Sequence, residues 1–200
     1  MKVKKVIDIC KRSKILATFF VNEDEQWLCD GYAAYSICDL PVLTEEYICS
    51  LYDISDKQRD KIHFKINTKA PATLCLDDTD LKEVQAMPKN LGVSLSGIGH
   101  CVPFMTDEGI VFIQRQYLEP LLDVPENEML FYSRHDSDGK QYIAVKIGLL
   151  LNAVIASVTI NDDIVNELRL IYGAAKMAND NQKNAGFPVQ ENENAEETTA

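Results

Sequence analysis

Three aspartates lie close enough in this sequence to suggest a metal-binding loop. Asp77, Asp78 and Asp80 carry carboxylates close enough in sequence to hold a hard cation. They lack the central glycine and the closing glutamate of a calcium-binding loop. The sequence therefore favours a solvated acidic loop and predicts no metal site.

Histidine and cysteine are the other residues with reactive or metal-binding side chains. His63, His100 and His135 lie far apart, and none has a cysteine or second histidine at a ligand spacing. His100 and Cys101 are adjacent, but neighbours in a strand point to opposite faces and cannot act together as base and nucleophile. The six cysteines form no CxxC pair, which is typical of reduced thiols in a cytoplasmic protein.

These observations predict no catalytic residue and no cofactor, and a protein that is not an enzyme. An active site assembled from distant residues leaves no local motif, so an enzyme of that kind remains an alternative.

Positive charge is concentrated at the start of the chain. Residues 2–13 are predicted to form a helix whose buried stripe comprises Val3, Val6, Ile7 and Cys10. This segment contains six cations, at positions 2, 4, 5, 11, 12 and 14, and a single anion, Asp8. The formal net charge of −11 argues against a protein that coats nucleic acid, but a local basic face is compatible with it. If the protein binds nucleic acid, we expect the phosphates at Lys4, Lys5, Lys11 and Arg12; the alternative is a solvated basic face.

A repeat indicates how the rest of the chain is organised. Residues 44–57 match residues 114–127 at a displacement of 70 positions, with Tyr47 aligned to Tyr117 and Leu51 to Leu121. The apolar positions in both copies lie on one face of a helix. Thr44 is a plausible N-cap of the first helix, and Pro120 makes the second begin near Tyr117. We expect two βαβββ-like units, at about residues 26–96 and 102–160.

Apolar periodicity and turn residues predict the remaining elements. Strands are expected at residues 15–21, 26–30, 32–37, 62–67, 73–76, 91–96, 110–113, 129–134, 141–147 and 153–159, with loops at 55–61 and 77–90. A last helix, capped by Asn161, should bury Ile164, Leu168, Ile171 and Ala175. The fold class is α+β with antiparallel sheets and N- and C-terminal helices, in one domain over residues 1–178. Residues 179–200 are polar and acidic and should be disordered.

The second unit, GIVFIQRQYLEPLLDVPENEMLFYSRHDSDGKQYIAVKIG, resembles the strand, helix and hairpin strands of the DNA sliding clamps. Residues 28–32, LCDGY, resemble the strand-to-turn segment of bacterial clamps, with Cys29 in the place of a threonine. The resemblance covers about residues 15–160. It implies a sliding-clamp-like fold, a possible homo-oligomer, and double-stranded DNA and replication proteins as partners. The segment WLCDGYAAYS also resembles small uncharacterised proteins of Firmicute phages and mobile elements.

The sequence therefore predicts a non-catalytic, sliding-clamp-like binding protein associated with the DNA metabolism of a phage or mobile element. The alternative is a protein–protein adaptor or inhibitor that does not bind DNA. The most apolar stretch, residues 147–160, is too short to span a bilayer, and the N-terminus lacks the apolar run of a signal peptide. We expect no membrane association and a cytoplasmic location.

Overall fold

A computed structural model describes residues 1–184 of the chain, apart from residues 23, 39, 90, 91, 96, 126, 127, 160 and 161. The chain forms two compact units, Met1–Val158 and a second unit that begins at Thr159. The first unit contains the helices α1 (Val3–Ser13), α2 (Glu45–Leu51) and α3 (Asp56–Arg59), and two 3-10 turns, Arg115–Tyr117 and Glu119–Leu121. The second contains α4 (Asp162–Asn184).

Twelve strands complete the first unit. They are β1 (Ile15–Val21), β2 (Glu25–Cys29), β3 (Ala33–Ser36), β4 (His63–Lys69), β5 (Val84–Gln85), β6 (Met87–Pro88), β7 (Val93–Leu95), β8 (Gly99–Thr106), β9 (Gly109–Gln114), β10 (Met129–His135), β11 (Gln141–Ile147) and β12 (Leu150–Ala156).

Two sheets are built from these strands. The larger has eight strands in the order β4-β1-β2-β3-β12-β11-β10-β5, and every neighbouring pair is antiparallel except β1 and β4. In the smaller sheet, β8 pairs with β9 along one edge and with β6 and β7 along the other. The predicted α+β class with antiparallel sheets is confirmed at this level.

The N-terminal helix α1 covers one face of the large sheet. Its side chains Val6, Ile7, Ile9 and Cys10 are buried in the main core, beside strand residues such as Leu16 and Leu28. The spacing of these apolar residues leaves the lysines on the outward face, as the sequence pattern predicted. Lys14 ends the helix in the left-handed conformation, with φ of 60°.

The helix predicted at residues 44–54 is present as α2. The hydroxyl of its N-cap, Thr44, accepts a hydrogen bond from the amide of Tyr47 at 3.2 Å. Ile48 is buried, whereas Tyr47 and Leu51 are exposed. The apolar face of α2 therefore contributes only in part to the core.

The two copies of the repeat differ in structure, which corrects the expectation of equivalent βαβββ units at residues 26–96 and 102–160. After α2, strand β4 pairs in parallel with β1, and β5 lies at the opposite edge of the sheet. In the second copy, Pro120 has no amide hydrogen to donate, and two 3-10 turns stand where the helix was expected. Only this copy is followed by the antiparallel series β10, β11 and β12.

Other predicted elements change for local reasons. Residues 73–76 are irregular and do not form a strand; the side chains of Tyr142 and Arg134, on the sheet, form hydrogen bonds with the backbone amide and carbonyl of Cys75. The loop expected at residues 77–90 contains β5 and β6, and the loop at 55–61 contains α3, which a capping box between Ser55 and Gln58 stabilises. Strand β8 was not predicted, because Gly97 and Gly99 suggested a break in regular structure, whereas Gly99 is the first residue of the strand.

The second unit is described as one helix. In α4, Leu168 is half-buried but Ile171 is 59% exposed, so the predicted buried face is only partly buried; the side chains of Ile164 and Ala175 lie outside the described set. The tail predicted at residues 179–200 overlaps α4 as far as Asn184, and residues 185–200 lie outside the described residues. None of the helices described is long and apolar enough to cross a membrane.

A strap, residues 70–83, covers the second face of the large sheet. It connects β4 at one edge of the sheet to β5 at the other. Leu74 and Leu76 of the strap pack with Phe19, Trp27 and Tyr142 in a second apolar cluster. Both faces of the large sheet are therefore covered in its central part.

Arg134 holds the strap in place. Its side chain is buried and donates hydrogen bonds to the carbonyl oxygens of Cys75 at 3.1 Å, Asp77 at 2.9 Å and Asp78 at 3.3 Å. The guanidinium also pairs with Glu83 at 2.5 Å. Lys146, buried as well, pairs with the other oxygen of Glu83 at 2.5 Å. This buried ion cluster satisfies strap groups that have no strand partner.

Replacing Arg134 tests how much the fold depends on this cluster. Arg134→Ala should lower the free energy of unfolding by about 3–5 kcal/mol, because it removes the donor to the carbonyl groups of Asp77 and Asp78 and breaks the buried ion pair with Glu83. His135→Ala, at the neighbouring exposed position whose ring pairs with Glu108, is the control and should change it by about 0–1 kcal/mol. Urea unfolding followed by circular dichroism measures both. Equal, small losses would show that the strap is held mainly by its apolar contacts.

Candidate functional site

The four residues predicted to contact phosphate all lie on the outward side of α1. Lys4 and Arg12 are exposed, and Lys5 and Lys11 are half-buried. Lys4 and Arg12 are eight positions apart, with Asp8 between them on the same helical stripe. The helix therefore presents two exposed cations with one carboxylate between them.

The other basic side chains of α1 have acidic partners. The Nζ atom of Lys2 lies 2.6 Å from Asp123, and that of Lys5 lies 3.9 Å from Glu119. Lys11 pairs with Asp8 at 3.9 Å and donates to the carbonyl oxygen of Tyr52 at 3.1 Å. Lys4 and Arg12 have no ion-pair partner among the described residues. Half of the predicted phosphate-binding set is thus already paired within the fold.

The acidic loop of Asp77, Asp78 and Asp80 is part of the strap, and two of its carboxylates accept backbone hydrogen bonds. The carboxylate of Asp78 accepts the backbone amide of Leu151 at 2.7 Å, and that of Asp80 accepts the amide of Lys82 at 2.9 Å. Across the described ranges, no group of three or more histidine, cysteine, aspartate or glutamate side chains is arranged to hold a metal ion. The carboxylates of Asp78 and Asp80 therefore have structural partners.

The histidines and cysteines are not brought together. His63, His100 and His135 are exposed on three different strands, and Cys101 is buried beside the exposed His100. The six cysteines are free thiols. Burial raises the pKa of the thiols of Cys10, Cys29 and Cys101, which disfavours the nucleophilic thiolate.

A buried polar network centres on Asp30. Its carboxylate accepts the amides of Tyr32 and Ala33, both at 2.9 Å, and the hydroxyl of Tyr117 at 3.3 Å. The hydroxyl of Tyr35 donates to the carbonyl oxygen of Tyr117 at 2.7 Å. Burial, reinforced by the charge of Asp30, raises the pKa of both tyrosines. The network joins the turn before β3 to the first 3-10 turn. Because the network is buried, we assign it a structural role.

An open groove lies between the small sheet, the two 3-10 turns and β10. Its volume is about 530 Å³, within the range of ligand and peptide pockets. Phe104 and Leu121 are buried at its base, and Met87 and Leu122 are exposed at its rim. Its lining is mainly apolar: Ala86, Met87, Pro88, Gly92, Val102, Phe104, Leu118, Leu121, Leu122, Met129, Leu130 and Phe131, with Gln85, Lys89 and Arg115.

The charged residues of the groove are both positive. Lys89 and Arg115 are exposed, and neither has an ion-pair partner in the described part of the chain. The described lining contains no aspartate or glutamate. In a chain of net charge −11, the groove is thus an apolar surface with two cations available for an anion.

An apolar shelf continues the groove across the end of the large sheet. Met129 is paired with Ile147, and Ile147 with Leu150, so the three side chains share one face across three strands. Gly148 and Leu149 form the hairpin tip, and the amide of Gly148 donates to the carbonyl oxygen of Glu128 at 3.2 Å. Leu149 is 85% and Leu150 62% exposed. The exposed apolar surface is therefore longer than the groove alone.

Sequence reasoning did not find the groove. The described lining comes from residues 85–89 and 92, and from the stretches 102–104, 115–122 and 129–131, none of which carries a motif. One signal was available: Met87-Pro88 is an apolar pair inside a stretch predicted to be a polar loop. Its apolar side chains are exposed at the rim.

Comparison of the chain with protein-family models, curated proteins and solved structures gives no match.

The buried tyrosines predict a loss of stability in alkali. A tyrosine in the unfolded chain ionises near pH 10, whereas the raised pKa values of Tyr35 and Tyr117 keep both neutral in the folded protein. Their contribution is complete below pH 10 and is lost as the pH rises above it. The free energy of unfolding should then fall by about 1.4 kcal/mol per pH unit for each group. Urea unfolding between pH 8 and about pH 11 measures the slope.

Tyr35→Phe should reduce that slope, even though loss of the hydrogen bond to Tyr117 lowers stability at every pH. Tyr47→Phe, a change at an exposed tyrosine, is the matched control. A slope that is identical in the unmodified protein and in Tyr35→Phe would contradict the assignment.

Proposed function

We propose that this protein is a non-catalytic adaptor that holds an apolar, acidic segment of a partner protein in the groove. The observation that carries the proposal is the groove itself, apolar along its length and bordered by Lys89 and Arg115, two cations with no ion-pair partner among the described residues. Apolar contact supplies affinity, and the two cations select for carboxylates on the partner. Met87 and Met129 are flexible side chains of the kind that adapt to peptide ligands.

The length of the apolar surface favours a polypeptide over a small molecule. Adjacent strands lie about 4.8 Å apart, so the row from Met129 through Ile147 to Leu150 adds about 10 Å to the groove. A small ligand confined to the groove would leave Leu149 and Leu150 exposed. A peptide segment can cover both regions, and the burial of exposed leucines contributes about 25 cal/mol for each Å².

Selection of short random peptides displayed on phage tests this proposal with the full-length protein as bait. The enriched sequences should combine aromatic or aliphatic residues with Asp or Glu. A synthetic copy of an enriched peptide should bind Met87→Asp/Leu122→Asp at least about tenfold more weakly, because both changes place charge at the rim without disturbing the core. Arg115→Glu should weaken the same peptide by repulsion.

Leu81→Asp is the matched control, since Leu81 is fully exposed and lies outside the groove lining. Failure to enrich any sequence, enrichment of basic peptides, or equal binding to the rim variant and to Leu81→Asp would each overturn the adaptor function.

Association with DNA is the second candidate function. Under this second proposal the protein is sliding-clamp-like and cytoplasmic. It is associated with the DNA metabolism of a phage or mobile element, and its partners are double-stranded DNA and replication proteins. Its support is the resemblance of residues 109–148, together with the exposure of Lys4 and Arg12, which have no acidic partner within the described part of the chain. This stretch contains β9, the two 3-10 turns and the antiparallel strands β10 and β11.

The salt dependence of DNA affinity distinguishes the contribution of Lys4 and Arg12 from that of Lys5 and Lys11. For a duplex bound at α1, Lys4→Gln/Arg12→Gln should reduce the slope of log affinity against log salt by about 1.8, which is 0.9 for each lost phosphate contact. Lys5→Gln/Lys11→Gln removes the same charge from residues already paired with Glu119 and Asp8, and should reduce the slope by less. Fluorescence anisotropy of a labelled duplex measures both. The DNA function fails if the unmodified protein does not bind at low salt or if the first variant keeps the slope.

A further inference from the structure

Strand β4 forms an open edge of the large sheet. It stands last in the strand order, and β1 is the only strand paired with it among the described residues. The amide of His63 donates to the carbonyl oxygen of Lys14 at 2.9 Å, so the backbone groups of His63 point toward β1. In a parallel pair, the backbone groups of successive residues point to alternate sides of the strand. Those of Phe64 and Ile66 therefore point away from the sheet.

The outward backbone groups of Phe64 and Ile66 have no hydrogen-bond partner in the described part of the chain. Beyond them the edge becomes irregular, because the register of β4 against β1 shifts after Lys65 and Asn67 adopts the left-handed conformation, with φ of 53°. The regular edge thus comprises residues 63–66. An unpaired edge of this kind is a template on which another extended chain can pair.

The two faces of this edge differ in chemistry. Phe64 and Ile66 are half-buried and pack against the main core. His63 and Lys65 point to the other face and are exposed, and neither has an ion-pair partner among the residues described. An added strand would therefore meet apolar surface on one face and positive charge on the other.

More positive charge lies at the start of the edge. Lys14, which pairs with His63 through its carbonyl oxygen, and Lys61 are both exposed. Neither lysine has an ion-pair partner within the described ranges, and Asp60 is the acid nearest to them in sequence. In a chain of net charge −11, this edge is a local concentration of cations that attracts a strand carrying carboxylates.

The same charges disfavour a second copy of this chain as the occupant. Two β4 strands paired antiparallel about Lys65 would place the two Lys65 side chains opposite each other, and like charges in that position are destabilising. Lysines and bulges are features that protect an edge strand from pairing with its own kind. An acidic strand avoids this repulsion, so the charge of the edge favours a different protein as the partner.

We propose that β4 binds an extended segment of a partner protein in which Asp or Glu alternates with aliphatic residues, and that this segment adds one further strand to the large sheet. Backbone hydrogen bonds to Phe64 and Ile66 supply affinity, and carboxylates beside His63 and Lys65 give selectivity. The site goes beyond the groove, because β4 lies at one end of the strand order and β5 and β10, which border the groove, lie toward the other.

Nuclear magnetic resonance of the isotope-labelled full-length protein tests the site. The probe is a blocked synthetic peptide of alternating glutamate and valine. On its addition the amide signals of Phe64 and Ile66 should shift and their hydrogen exchange should slow. Both effects should persist in Met87→Asp/Leu122→Asp, whose groove rim is charged. Unchanged signals at Phe64 and Ile66 would overturn this proposal, whatever the peptide does at the groove.

Reversal of one charge tests the selectivity. Lys65→Glu should weaken binding of the glutamate–valine peptide by at least about fivefold and strengthen binding of a lysine–valine peptide. Lys140→Glu is the matched control, because it makes the same change at an exposed lysine in the turn between β10 and β11, and it should bind both peptides as the unmodified protein does. Equal affinity of the unmodified protein for the two peptides, or the same preference in Lys65→Glu, would contradict the assignment.

Methylation of the peptide backbone tests strand addition itself. A glutamate–valine peptide that is methylated at every backbone amide keeps its side chains but cannot donate to the carbonyl oxygens of Phe64 and Ile66. It should therefore lose binding at β4. Undiminished binding of the methylated peptide would show that the charges alone hold it, and the proposed strand pairing would be wrong.

Discussion

The buried guanidinium of Arg134 is the constraint on which the candidate site depends. Because β4 and β5 lie at opposite edges of the large sheet, the chain between them must cross the sheet face. The crossing strap has no strand partner, so its carbonyl groups need buried donors, and Arg134 supplies them while Glu83 and Lys146 balance its charge. The strap ends at β5, which is paired with β10 and leads directly into Met87 and Pro88. A contact on one face of the sheet thereby fixes the rim of a groove on the other.

The opposite wall of the groove depends on a second buried network. The hydroxyl of Tyr117 donates to Asp30, and its carbonyl oxygen accepts from Tyr35, which ties the first 3-10 turn to β3 and to the turn before it. The ion pairs of Lys2 with Asp123 and of Lys5 with Glu119 press α1 against the same region. Lys5, one of the four cations that the sequence suggested for phosphate binding, therefore helps to hold the wall that carries Leu118 and Leu121. Part of the positive charge of α1 is explained by the fold.

Local patterns in the sequence predicted the elements that local interactions form. Helix α1, strands β1 to β3 and the antiparallel series β10 to β12 follow from apolar periodicity and turn residues, and the capping hydroxyl of Thr44 was recognised from its type. The parallel pairing of β1 with β4, the strap and the groove were not predicted, because each joins residues that are far apart in sequence. Arg134 lies 59 residues from Cys75, and no periodicity signals such a contact.

The net charge of the chain affects both candidate functions at physiological salt. A chain of charge −11 repels both DNA and acidic peptides at long range, so either ligand must be held by short-range contacts. Screening limits the field of Lys4 and Arg12 to about 8 Å, and Asp8 lies between them. The groove adds burial of apolar surface to its two cations, and that contribution is not screened by salt. At the ionic strength of a cell, binding proposed for the groove would therefore weaken less with salt than binding proposed for α1, where Lys4 and Arg12 are the cations without an ion-pair partner among the described residues.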